Sequence, residues 1–269
     1  MKAESKSLAD WVNQRQKSGL YAFTRSEVLQ QLELRPGALA KALQRLSVAG
    51  RVACVRKGFY VIVPLEYQAI GSVPAEWFID DLMRFIGQPY YVGCLSAAAI
   101  HGAAHQRPQE QQVVVPAHVR MVDKKAVRIR FLHFTEMDRA ITQPWRTHTG
   151  DIPISTPEWT AIDLIRFQRH YGSMDAAATV LTELGEALDA QRLADAAYFE
   201  KCNAYLQRLG WMLDFVGFKD VTANLHSLLE GRKPSFVALR VENHRISVGD
   251  GCHGRAGSAH QSHAGGTVS

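Results

Sequence analysis

Between residues 24 and 63 (TRSEVLQQLELRPGALAKALQRLSVAGRVACVRKGFYVIV) the apolar positions first repeat with a helical period and then alternate as in a strand. Thr24 followed by Glu27 has the spacing of a capping box, so a helix is expected to begin at Arg25. It should end near Leu34, because Pro36 disfavours helical geometry at Arg35 yet suits the first turn of a second helix, 36 to 49. Gly50 then stands where a left-handed C-terminal cap is expected. At roughly 100° per residue, Leu39, Ala42, Leu43 and Leu46 share one face of that helix. Gly37, Lys41 and Gln44 lie opposite, with Ala38 and Arg45 on a flank. Residues 51–55 and 59–63 are β-branched and aromatic runs separated by Arg56, Lys57 and Gly58, a hairpin signal.

Upstream, Leu8, Trp11 and Val12 form one stripe of a helix over 8–17, stopped by Gly19, and Phe23 is expected to close the small core. This order predicts a winged helix-turn-helix over residues 1–66. Pro64 ends the last strand, and the connector LEYQAIGSVP marks a boundary. A second domain is expected over 75–240, with a helical pattern at 75–86, an aromatic strand at 90–92 and a small-residue helix capped by Ser96 and running through 104. Strands follow at 113–115 and 127–134, the latter turning Arg128 and Arg130 away from Val127, Ile129 and Phe131. Thr156 and Pro157 have the cap and first-turn roles of the next helix. Long helices are expected over 174–188 and 190–216, with Leu206, Leu209, Met212, Leu213 and Val216 on one seam, and another over 220–229. The fold class is therefore α+β: a winged helix-turn-helix followed by a mixed α/β C-terminal domain too irregular for a doubly wound sheet. From 241 to 269 Gly, Ser, Ala and His dominate, a composition that predicts a disordered tail.

Charge adds a function to this outline. Between Arg15 and Tyr60 nine basic residues stand against two acidic ones, whereas the whole 269-residue chain carries only +5. Such a local excess is the footprint of a polyanionic partner. No run of about 18 apolar residues is present and the first residues lack an apolar signal core, so a cytoplasmic protein without a membrane partner is expected. Cys54, Cys94, Cys202 and Cys252 lie far apart, which argues against a disulfide framework and a zinc ribbon.

Catalysis finds little support. His101 and His105 have the spacing of two metal ligands on one helix, but the glutamate of H-E-x-x-H is missing, and a packing or capping histidine is the better reading. The adjacent Asp80 and Asp81 diverge on a helix, Gly71 and Ser72 precede a helix without a carboxylate-bearing strand, and Ser96 and Ser155 lack a base. His253, His260 and His263 have no cysteine or acidic partner at ligand spacing. No enzyme, metal or cofactor is expected.

The basic segment, then YYVGCLSAAAIHGAAHQRPQ at 90–109, ISTPEWTAIDLIRF at 154–167 and LQRLGWMLDFVG at 206–217, taken as an ordered set, resembles the AbiEi-type antitoxins of two-gene abortive-infection systems. The resemblance covers about residues 8 to 240. It implies an N-terminal winged domain that binds inverted repeats in double-stranded DNA of its own operon promoter, and a C-terminal domain that supports repression and antitoxin action. It also implies a nucleotidyltransferase-like toxin countered in the type IV manner, without a stable complex. Past the stretch PSFVALR the chain departs from the family, which continues with a further strand-like ending.

For DNA contact the residue types single out Lys41, Gln44 and Arg45 for base edges, since Lys and Arg pair with guanine and Gln with adenine. Arg25 and Arg35 are expected on phosphates near the helix starts, and Arg56 and Lys57 along the backbone or minor groove. As structural alternatives, Arg45 would pair with Glu33 or cap its own helix and Gln44 would face water; the competing function is an interaction module whose 206–216 seam and Trp211 grip a partner protein directly, a seam that a buried core explains equally well.

Overall fold

A computed structural model describes residues 7–103, 108–124, 126–170, 174–235 and 237. The first part of the chain runs α1 (Leu8–Lys17), β1 (Ala22–Thr24), α2 (Arg25–Leu32), α3 (Pro36–Val48), β2 (Val52–Arg56) and β3 (Phe59–Ile62). The capping box forms: Thr24 Oγ1 accepts from the Glu27 amide at 3.1 Å and the Glu27 carboxylate accepts from the Thr24 amide at 2.7 Å. α2 stops at Leu32 because Glu33 enters the left-handed region at φ 51°, so the turn is longer than the position of Pro36 alone predicts. Gly58, at φ +87°, makes the hairpin turn, a geometry that costs a glycine little.

β1 was not predicted; its three residues pair antiparallel with β3, giving the order β1-β3-β2. A strand this short carries no legible period. Alternation then sends the sheet's residues to opposite faces. Phe23, Val52 and Ile62 join Leu8, Val12, Val28, Leu39 and Leu43 under the three helices. Ala22, Val55, Phe59 and Val61 face the other way, into a second core.

That second core is shared with the rest of the chain. The helix expected over 75–86 is interrupted: a 3-10 turn at Ala75–Trp77 is followed by α4 (Ile79–Ile86), with Phe78 at φ −135° between them. The break lets Trp77 reach Tyr21 at 4.8 Å between centroids and Phe78 bury against Phe59 at 6.5 Å. Beyond lie β4 (Tyr91–Val92), α5 (Cys94–Ile100), β5 (Gln111–Val115), β6 (Val122–Lys124), β7 (Val127–His133), β8 (Thr142–Arg146) and β9 (Asp151–Ser155). They form one sheet in the order β6-β7-β5-β4-β9-β8, with β4 parallel to β9 and β5 parallel to β7. β6, β8 and β9 were not predicted.

Ser96 does not take the capping role that the sequence predicted; the cap is Gly93, three residues earlier, and α5 ends at Ile100. The Ser96 hydroxyl is buried inside it, accepting from the Gln112 amide at 2.8 Å and so tying helix to strand. A Cβ on Gly93 would meet Asp163 Oδ2, the Tyr91 ring and Val114 at 3.0 Å, so a larger residue at this strand-to-helix turn would have to displace those side chains.

The remaining helices are α6 (Pro157–Arg166), α7 (Met174–Leu184), α8 (Ala190–Phe199), α9 (Asn203–Phe215) and α10 (Lys219–Arg232). They pack together on the side of the sheet that carries Tyr91, Val114 and Leu132. Val92, Val113, Val115 and Ile129 point to the opposite side, against α4 and the small sheet. Burial on both faces explains the uninterrupted valine run of β5. The expected 190–216 helix is broken at Glu200, which is extended at ψ 122°. Its carboxylate pairs with Arg166 and accepts from the Cys202 amide at 2.6 Å, while Arg232 donates to the carbonyls of Ala197, Tyr198 and Glu200 at the end of α8. The expected tail at 241–269 lies outside the described residues.

Candidate nucleic-acid interface

α3 is anchored by Leu39 and Leu43, both fully buried, and this fixes which face looks outward. Arg35, Lys41, Gln44 and Arg45 are exposed along that outward face, and Lys57 is exposed at the hairpin tip. Among the described residues none of these five side chains has a hydrogen-bond or ion-pair partner, so the expected pairing of Arg45 with Glu33 does not form. Arg35 sits at the cap of α3, extended at ψ 140°.

Arg25 is half-buried at the first position of α2, where its guanidinium donates to Pro36 O at 3.3 Å. Its amide donates to Gly58 O at 2.8 Å, so the starts of α2 and α3 and the hairpin turn converge. Arg56 is placed differently from its neighbour: half-buried, it donates through Nη1 to Arg120 O at 3.5 Å, facing the loop before β6. The predicted residues thus share one side, apart from Arg56, whose guanidinium is engaged with the large sheet.

Two side chains near this face, Cys54 and Tyr60, were given no part in DNA contact by the sequence. Burial raises the pKa of the Cys54 thiol, against a lowering by Lys124, and burial followed by Cys54 raises that of the Tyr60 phenol, against Arg25. Both reside on strands whose placement beside α3 is a long-range contact that no local period reports.

The other candidates resolve into structural roles. His101 is the C-cap of α5; its Nε2 lies 2.8 Å from Ser155 O, and burial lowers its pKa. His105 and the tail histidines lie outside the described residues. Asp80 and Asp81 both hold Arg84, at 2.6 and 3.1 Å. Ser155 Oγ bonds Thr160 Oγ1 at 2.6 Å. Among the described residues no group of three or more His, Cys, Asp or Glu is placed to hold a metal ion. The seam Leu206, Leu209, Met212 and Leu213 is buried core, whereas Trp211 stacks on Phe215 on the exposed side of α9 at 5.2 Å.

The most conspicuous buried chemistry is in the second part of the chain. Arg166 lies between Asp163 and Glu200, over the Phe134 ring at 4.1 Å, and Asp163 also accepts from the Tyr91 hydroxyl at 3.0 Å. Burial raises Asp163 to about 7, against the pull of Arg166. Burial alone would lower Arg166, but Asp163 and Glu200 hold it above its ordinary value. This network clamps α6 to the α8–α9 joint and opens on no solvent.

Fold and surface together define a mixed α+β protein with one exposed basic helix face. Residues 91–215 match the family model described as the AbiEi antitoxin C-terminal domain. No curated protein matches the chain. Among solved structures it is similar to the RV2827C protein from Mycobacterium tuberculosis, at 18% identity and a TM-score of 0.62 over 87% of this chain and 85% of that one, which shows a shared fold. A far weaker likeness, at 10% identity and a TM-score of 0.32 over 58% of this chain and 85% of the other, is to an antigenic nucleotidyltransferase-like protein from Paracoccidioides brasiliensis. Among the described residues no helix is long and apolar enough to cross a membrane.

Proposed function

We propose that this protein is a cytoplasmic, non-catalytic regulator that represses its own operon by binding promoter inverted repeats and acts as the antitoxin to a nucleotidyltransferase-like toxin. Residues 1–66 serve as a winged helix-turn-helix and residues 75–240 as the antitoxin domain. The observation that carries the DNA half is the row of unpartnered Lys41, Gln44 and Arg45 on the outward face of α3, flanked by Arg35 and Lys57. Unpaired, exposed cations keep their full charge for phosphates and base edges. The antitoxin half is supported by the family match over 91–215.

The experiment is a duplex-binding titration with the protein's own promoter at several salt concentrations. Steep salt dependence and preference over random duplex are expected, with the double change Lys41→Ala and Arg45→Ala weakening binding by roughly tenfold or more. Unaltered binding by that variant rejects the groove assignment.

The stacked, exposed Trp211 and Phe215 favour a second reading, a module that grips its partner protein. Stable co-purification with the neighbouring gene's product, lost on Trp211→Ala, would favour it over antitoxin action without a complex.

A further inference from the structure

Between the second half of α3 and the hairpin lies a cleft of about 360 Å³. Arg25, Gln44, Ser47, Cys54 and Tyr60 line it around a floor that includes Leu43, and none of its lining residues is acidic. Arg25 is held in place by Pro36 O, and the Tyr60 ring is fixed by stacking on Phe23 at 5.5 Å. Lys124, on the edge strand β6 of the large sheet, is near enough to favour the Cys54 thiolate. Hydroxyl donors and the Arg25 cation therefore converge on a concave site from the first helices and the hairpin.

The geometry of duplex DNA says what belongs there. The major groove, about 12 Å wide, and the minor groove, about 6 Å wide, are separated by one sugar–phosphate strand. A helix in the first groove and a hairpin against the second must straddle that strand, which then runs between them. We propose that this cleft seats a phosphodiester of the straddled strand, with the Arg25 guanidinium and the Ser47 and Tyr60 hydroxyls donating to its oxygens. The proposal rests on α3 being the groove reader, and it adds a backbone anchor beside the base-reading face.

Full-length protein carrying Cys252→Ser provides the test, because Cys94 and Cys202 are buried and Cys54 is exposed. Promoter duplex should slow alkylation of Cys54 by N-ethylmaleimide by roughly tenfold, as expected for a thiol under a bound strand. Arg25→Gln should weaken binding roughly tenfold or more and reduce the salt slope by about one. Tyr60→Phe, which keeps the stack on Phe23, should cost roughly threefold to tenfold with an unchanged melting temperature. Cys54 alkylated at its free rate in the saturated complex overturns the proposal, as does parental affinity in both cleft variants. Loss of binding on changing Lys41 and Arg45, with the cleft variants unaffected, removes the anchor alone. Failure of any duplex to bind removes the groove reading with it.

Discussion

Around the large sheet, Arg84 is held by Asp80 at 2.6 Å, Arg130 by Glu110 at 2.5 Å and Arg139 by Glu136 at 2.6 Å, and Arg166 lies buried between two carboxylates. Along α3, Arg35, Lys41 and Arg45 stand exposed and, among the described residues, without a partner. The two regions use the same residue types for opposite ends. A cation buried against a carboxylate far along the chain, as Arg166 is with Glu200, holds elements together; one left alone adds little to the fold and remains available to a polyanion. The arrangement of acids around the bases, more than the number of bases, separates the two.

The sharpest way to break this contrast is at Arg166. Replacing it with Met leaves the Asp163 and Glu200 carboxylates buried without their cation, and a loss of about 3–5 kcal/mol is expected in denaturant unfolding. A loss as small as that of a surface change would mean the buried network holds nothing. The same network predicts a pH dependence. Burial lifts Asp163 from its ordinary 3.8 to about 7, so the folded state keeps a proton that the unfolded chain has released. Its contribution to stability is therefore full below about pH 4 and lost as pH rises toward about 7. Unfolding midpoints across that range should fall for the parent and flatten in Asp163→Asn; equal slopes in the two would sink the assignment.

Smaller effects are expected in the first part of the chain. Thr24→Ala removes one half of a formed capping box and should cost about 1 kcal/mol, read by thermal unfolding. Lys41→Ala and Arg45→Ala should each shift stability by no more than about 0.5 kcal/mol. A clear stability loss in either would show that its charge serves the fold, and the contrast with Arg166 would fail.

Much of the first region was legible because its signals are local. The Thr24 and Glu27 spacing, Pro36 at a first turn, Gly50 and Gly58 at positive φ, and Leu39 and Leu43 on one face all depend on neighbours within a turn or two. The basic face follows from the same period. What failed there was β1, three residues that become a strand only because β3 pairs with them. The cleft beside Cys54 and Tyr60 was illegible for the same reason, since it exists only where α2, α3 and the hairpin meet.

In the second region the period misled at defined places. An apolar pattern continuous from 190 to 216 cannot report that Glu200 leaves the helix to meet Arg166, 34 residues earlier. Nor can the small-residue run after Gly93 reveal that Ser96 turns inward to bond Gln112. Strands β6, β8 and β9 are three to five residues long and lie at or beside the sheet edges, and the edge strands β6 and β8 bury too few residues to show an alternation.

By itself the sequence determined where α2, α3 and α6 start, which way α3 faces and where positive charge accumulates, because caps, periodicity and composition act over a few residues. Tertiary structure decided which cations are neutralised, where the long helices break and that the small and large sheets share a core through Phe59, Phe78 and Val113. Those outcomes depend on desolvation and pairing between groups far apart in the chain. Such terms exist only once folding has brought the groups together.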